Sequence, residues 1–188
     1  MQSYKDLNIN YTGGDHHIND NQLTSLVGCP DVISGDFICW DNRLTDLVDG
    51  PQQVYGSYIC SNNKIKSLKG LPKVLSGSFS CQDNSLTNLD GCPEVNGFLN
   101  ISQNQITSLV GCPTEITNTF HCSDNRLSSL VGGPINVTGS YQCSSNRLTA
   151  LEGCASHIGG ELDLDGNNIT SLVGIHKIIK SCKVIWFE

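Results

Sequence analysis

Apolar and polar residues along this chain recur on a period far longer than that of a helix or a strand. Asn21, Asn42, Asn63, Asn84, Asn104, Asn125, Asn146 and Asn167 mark eight units, spaced 21 residues apart except for one spacing of 20. Leucine stands five residues after every asparagine, from Leu26 to Leu172, and leucine or isoleucine stands two after it. Before the asparagine, position −5 runs Phe37, Tyr58, Phe79, Leu99, Phe120, Tyr141, Leu162, and position −3 is Cys, Ile or Leu. Apolar residues two apart with polar ones between have the period of a short strand. A frame this strict predicts stacked turns whose cores exist only because neighbouring turns cover them.

The rest of each unit opposes a helix. Gly28, Gly70, Gly91, Gly111, Gly132 and Gly153, with Pro30, Pro51, Pro72, Pro93, Pro113 and Pro134, punctuate the return path. Twenty-one residues leave too little chain for a strand, a bend and several helical turns. The expected fold class is a mainly β repeat solenoid. A parallel concave sheet forms one side, and extended or 3₁₀ segments carrying Ile33, Val54, Leu75, Val95, Ile116, Val137 and Ile158 form the other. At about 4.8 Å per strand, eight turns span roughly 35–40 Å. The eight asparagines are expected to be structural. Each carboxamide both donates and accepts, so it can satisfy backbone groups that the bend leaves unpaired.

The full frame, L-x-L-x-x-N-x-L-x-x-L over about residues 14–186, resembles the leucine-rich repeat. At 20–21 residues it is similar to the short repeats of bacterial effectors and to cysteine-bearing repeats encoded by tailed phages. The resemblance implies a right-handed superhelix of a single domain. Residues 1–17 would be an N-terminal capping turn, 18–177 the eight repeats and 178–188 a C-terminal capping strand. In that strand Trp186 and Phe187 are expected to fold over the last core layer, because an open solenoid end exposes core and strand edge.

Composition narrows the partners. Charged residues are 15% of the chain and the net charge is −7, with 11 Lys+Arg scattered singly. No basic stripe is present to neutralise phosphates, so nucleic acid is not an expected partner. The N-terminus lacks the pattern of a signal peptide and no run is long enough for a membrane span. A cytoplasmic protein is expected, in the host cytoplasm if phage-encoded. Ten cysteines first suggest disulfides or zinc. However, Cys39, Cys60, Cys81, Cys122 and Cys143 share a column with Ile18, Ile101 and Leu164. A site that takes Ile, Leu or Cys asks for a small hydrophobe, so buried thiols are expected. No C-x-x-C pair occurs and no Cys–His spacing fits a metal.

Nothing in the chain assembles a catalytic motif. None of His16, His17, His121, His157 and His176 lies in a nucleophile motif. Asp163-Leu-Asp165-Gly-Asn167 begins like a calcium loop but lacks its glycine and glutamate, leaving at most weak divalent binding at Glu161, Asp163 and Asp165. No catalytic residue, metal or cofactor is expected. What varies is the outward set at −6, −4 and −2, which alternation places on the concave face. Most are small and polar, the ordinary solvated case. Ile38, Trp40 and Ile59 form a contiguous apolar patch flanked by Asp15, Asp36 and Asp41, the anatomy of an interface anchor. The candidate partner-binding residues are His17, Asp36, Ile38, Trp40, Ile59, Phe98 and His121. Phe98 lies in the short unit, where it could instead fill the core slot. The expected function is a non-enzymatic recognition scaffold for a protein partner, a host protein if the phage resemblance holds, with a monomer favoured. The alternatives are a small-molecule or metal-ion binder on the same face, and a structural or virion component.

Overall fold

The computed structural model describes residues 2–171, residue 173 and the backbone of 183–185. Nine two- and three-residue strands stack into one parallel sheet in strict chain order, from His16–His17 through Phe37–Ile38 and Tyr58–Ile59 to Glu161–Asp163 and Lys183–Ile185. Each turn donates the N–H of its −5 and −3 residues to the −6 and −4 carbonyls of the next. His16 to Asp36 (2.7 Å), Ile18 to Ile38 (2.8 Å) and Cys39 to Ile59 (2.8 Å) are examples. The register never slips between these strands, because every turn presents the same apolar pair to the same layer.

The opposite side is extended too. Val32–Ile33, Gln53–Val54 and Val74–Leu75 form one three-stranded parallel sheet, and Glu115–Ile116, Asn136–Val137 and His157–Ile158 form another. The gap between them falls on the 20-residue unit. There Pro93 is separated from the buried Val95 by one residue, where Pro72 and Leu75 have two. One missing residue removes the bridge. Among the described residues the only helix is a 3₁₀ turn at Tyr4–Leu7, so the expectation of almost no helix holds.

Between the sheets the core is a set of columns. The +2 and +5 leucines and isoleucines from Leu23 to Leu151 are buried, as is the whole −3 column including its five cysteines. Burial pushes the thiols of Cys39, Cys60, Cys122 and Cys143 well above their ordinary pKa. They behave as small hydrophobes. Among the described residues no three His, Cys, Asp or Glu side chains gather as a metal site would require.

The asparagines do more than hold their own bend. The Asn42 carboxamide oxygen accepts the Leu23 N–H of the preceding turn at 2.8 Å, while its NH₂ donates to Ile18 of that turn (2.9 Å) and Cys39 of its own (3.0 Å). Asn125 repeats this with Ile106, Ile101 and Cys122, and Asn63, Asn84, Asn104, Asn146 and Asn167 follow suit. Each therefore rivets two layers. Asn21 has no earlier unit to reach and donates to its own Asn19 carbonyl. The residue before each asparagine turns left-handed: Asp20, Asp41, Asn62, Asp83, Gln103, Asp124 and Ser145 have φ between 52 and 58°. Aspartate and asparagine tolerate that region better than other side chains, so the residue before each repeat asparagine carries a turn signal in the sequence itself.

His16 occupies the −5 column in the first turn. It is 4% exposed, and its Nε2 lies 2.9 Å from the Tyr4 hydroxyl. The rings of Tyr4, His16, Phe37 and Tyr58 follow one another at 4.9–6.1 Å between centroids. Residues 2–7 thus close the N-terminal end with Tyr4, and Gln2–Ser3 pair with Leu23–Ser25. His16–His17, placed by the sequence reading in a cap ending at 17, is the first strand of the main sheet. At the other end, Lys183–Ile185 pairs in parallel with Glu161–Asp163. Leu172, His176, Cys182, Trp186 and Phe187 lie outside the described residues.

Tyrosine enters the −5 column only where the residue eight before it is glycine. Gly50 precedes Tyr58 and Gly133 precedes Tyr141, whereas Cys29, Leu71 and Cys112 precede Phe37, Phe79 and Phe120. A Cβ on Gly50 would stand 3.3 Å from the Tyr58 hydroxyl and 2.9 Å from Leu26 Cδ1; on Gly133 it would stand 3.1 Å from the Tyr141 hydroxyl. The hydroxyl and the neighbouring leucine side chain together crowd the place a side chain would take. Neither hydroxyl has a hydrogen-bond partner of good geometry among the described residues, although the Cys39 thiol adjoins Tyr58.

Candidate functional site

The open face of the nine-stranded sheet is built from the −6, −4 and −2 side chains. Its middle is polar and bonds to itself. Ser61 and Ser80 hydroxyls meet at 2.8 Å, Asn100 donates to Gln82 Oε1 at 3.0 Å, Ser102 donates to Asn100 at 2.6 Å, and Ser144 donates to Ser123 at 3.0 Å. Ser80 and Ser102, expected to be solvated, are buried. Small side chains in adjacent columns about 4.8 Å apart leave little room for water between them. Groups already paired within the face offer few free donors or acceptors to a polar small molecule.

The first turns differ. Ile38 and Ile59 are directly opposite one another in the ladder, with His17 beside Ile38 in the same column. Both isoleucines are half-buried, and Trp40 is 38% exposed. Parallel strands twist only modestly from one to the next, so this column stays contiguous. All three apolar residues therefore lie on the open sheet and none inside the layers. Asp36 stands at its border, but its role is partly structural. Its Oδ1 accepts the Ser57 N–H at 2.6 Å, as Asp15 Oδ1 accepts the Asp36 N–H at 2.8 Å. Ser57 and Ser78 continue this −6 ladder to Ser78 and Phe98. Alternation of strand faces gave no hint of it, because the bonded partner is 20–21 residues away.

Phe98 sits at −6 and is half-buried; Leu99, fully buried, takes the core slot. With no acceptor on Phe98 the ladder stops, and the Thr119 N–H bonds to Asn118 Oδ1 instead, at 2.8 Å. The structure does not bring Phe98 to the Ile38–Ile59 patch: the Phe79–Ser80 strand lies between them. His121 is half-buried one turn beyond Phe98, and burial lowers its pKa, an effect partly offset by a hydrogen bond with Gln142. At the far end, Asp163 Oδ1 accepts the Asp165 N–H at 3.0 Å.

Layering and face together define the class: a mainly β parallel solenoid of about eight turns with one open, variable sheet. The chain matches no protein-family model, and a search of curated proteins finds no relative. No helix among the described residues is long and apolar enough to cross a membrane.

Proposed function

We propose that the protein is a non-enzymatic recognition scaffold that grips a protein partner through Ile38, Trp40 and Ile59 on the open face of its main sheet. The single observation that supports this reading is the contrast on that face. Its polar middle is consumed by internal hydrogen bonds, while its N-terminal part holds an apolar patch with an exposed indole. Aromatic anchors amid neutral contacts carry most of the energy in protein interfaces. Asp15, Asp36 and Asp41 at the border favour a partner with basic flanks and steer its approach. His17 rims the patch, with Phe98 and His121 further along the face.

In the same proposal the coil is a right-handed leucine-rich-repeat superhelix, concave on the open face, and acts as a monomer. The Asn–Leu frame supports that assignment. The likeness to tailed-phage repeats extends the proposal to an accessory protein that inhibits or redirects a host protein in the host cytoplasm. The test is pull-down with the Trp40→Ala, Ile59→Asp double variant beside Gln142→Asp, which alters the same face four turns from Ile59 and five from Trp40. Loss of the partner with the first and retention with the second supports the reading. Equal recovery by wild type and the double variant refutes the patch.

A further inference from the structure

The two ends of the main sheet differ. Past the eighth turn an extra strand, Lys183–Ile185, pairs with Glu161–Asp163. Ahead of the first, residues 2–7 stand in for half a turn. Gln2–Ser3 pair with Leu23–Ser25, the Lys5 N–H bonds to the Val27 carbonyl at 3.0 Å, and Tyr4 covers the His16 ring. Nothing among the described residues stands in for that half-turn's strand, so His16–His17 is an outer strand of the sheet.

The ladder defines which groups are left over there. Carbonyls from Asp36 to Ser140 at −6, and from Ile38 to Asp163 at −4, each take an N–H from the turn before. Those of Asp15 and His17 have no such donor among the described residues. The −6 N–H is also met from the turn before, Asp36 by Asp15 Oδ1 at 2.8 Å and Ser78 by Ser57 Oγ at 3.2 Å. The Asp15 N–H lacks that oxygen, and alternation in a parallel ladder turns the His17 N–H the same way. Asp15 and His17 are both exposed. Donors and acceptors at strand spacing match another extended backbone, as in recognition by strand addition. Charge narrows the occupant further: from residue 6 to residue 42 stand six aspartates and no lysine or arginine.

We propose that the partner adds an extended, basic-flanked segment to this edge, parallel to His16–His17; the proposal rests on the reading of the open face as a protein-binding surface. Its −5 and −3 N–H groups donate to the Asp15 and His17 carbonyls. A serine, threonine or aspartate at −6 accepts the Asp15 N–H, as Asp15 does for Asp36. Position −5 must be small, because Tyr4 already fills the place ahead of His16. An apolar −4 side chain extends the column of His17, Ile38 and Ile59.

The probe is the peptide acetyl-Lys-Ser-Gly-Ile-Ala-Ser-Lys-amide, titrated into the full chain while backbone amides are followed by NMR. Saturating shifts are expected at Asp15, His17 and Ile38, with the His17 amide newly protected from solvent exchange. The same peptide N-methylated at its Gly and Ala keeps its side chains, loses both donors and should bind about tenfold more weakly or worse. His17→Pro should weaken the plain peptide as much. The sheet uses the N–H groups of His16 and Ile18, so an edge proline at 17 leaves the fold in place. If it does not, the N-methylated peptide carries the test on the unaltered chain. Equal binding by the two peptides, or shifts gathered at Trp40 and Ile59 alone, overturns strand addition and leaves the patch as a protein-binding surface. Shifts that never saturate overturn it as well. So does His17 protection that rises with protein concentration before peptide is added, as a second copy on the edge would give.

Discussion

The first and second halves of the coil share a core and differ in their open face. Cys29, Phe37, Cys39, Gly50, Tyr58 and Cys60 return four turns later as Cys112, Phe120, Cys122, Gly133, Tyr141 and Cys143. On the open face, Ile38, Trp40 and Ile59 become His121, Ser123 and Gln142. Inside, each side chain must fit the layers above and below at close-packed density, so a working combination is kept whole. Outside, the −4 and −2 side chains meet only their neighbours on the same sheet face and have no layer above to fit. A difference confined to the unconstrained surface is where recognition has room to be written.

The largest way to probe this comparison is through the rivets. Asn42→Ala and Asn125→Ala should cost about 3 kcal/mol each, and about equally, because both orphan an amide and at least two carbonyls in the core. Asn21→Ala should cost about 1 kcal/mol or less, since it bridges no earlier unit. Urea denaturation of the three variants checks this. Unequal losses at the two equivalent asparagines would break the claim that the copies share one core.

The tyrosine–glycine pairs come next. Gly133→Cys alone should destabilise, with the new Cβ 3.1 Å from the Tyr141 hydroxyl and 2.8 Å from Leu109 Cδ1. Tyr141→Phe alone should be neutral or stabilising, because the buried hydroxyl it removes has no hydrogen-bond partner among the described residues. The double variant rebuilds the Phe120–Cys112 pairing and should exceed the sum of the singles by about 1 kcal/mol. Additivity in that double-mutant cycle would mean the pairing is coincidence.

The N-terminal half also carries an acid-sensitive end that the second copy lacks at this column. Burial, with His17 beside it, lowers the His16 pKa. The unfolded chain takes up the proton at about the ordinary histidine value of 6.5, which the native state resists. The stabilisation is whole above that pH and is lost as pH falls below it toward the depressed native pKa. Melting temperatures from pH 7.5 to 5 should drop, and His16→Phe should flatten the part of that profile that His121 does not supply. Smallest of all is the effect on stability of Trp40→Ala with Ile59→Asp, about 1 kcal/mol or less for half-exposed sites. The same pair should nevertheless abolish partner binding. A large fall in melting temperature would mean the patch serves the fold.

Much of the architecture is legible in the residues alone. Asn at 21-residue intervals with Leu at +5 states the number of turns, the buried columns and how little helix the described residues hold, because each layer repeats one packing problem. Ile38 and Ile59 on one column of the open face followed from alternation and the period. The charged and polar exceptions were harder. The partner of His16 in the aromatic column is hidden until Tyr4 folds back to meet it. Asp36 reads as a border acid until Ser57 donates to it. The match of Tyr58 to Gly50 was written in the sequence, but its meaning needed the distance between them.

By itself the sequence determined which residues share a column, since a fixed period assigns every position to a place in the turn. The tertiary structure decided what those columns do to one another across layers. It made the asparagines rivets between turns, split the second sheet at the short unit, and placed Leu99 rather than Phe98 in the core. Periodicity specifies direction, whereas contact depends on separations of a few ångströms between turns about 20 residues apart, and only the packed stack sets those.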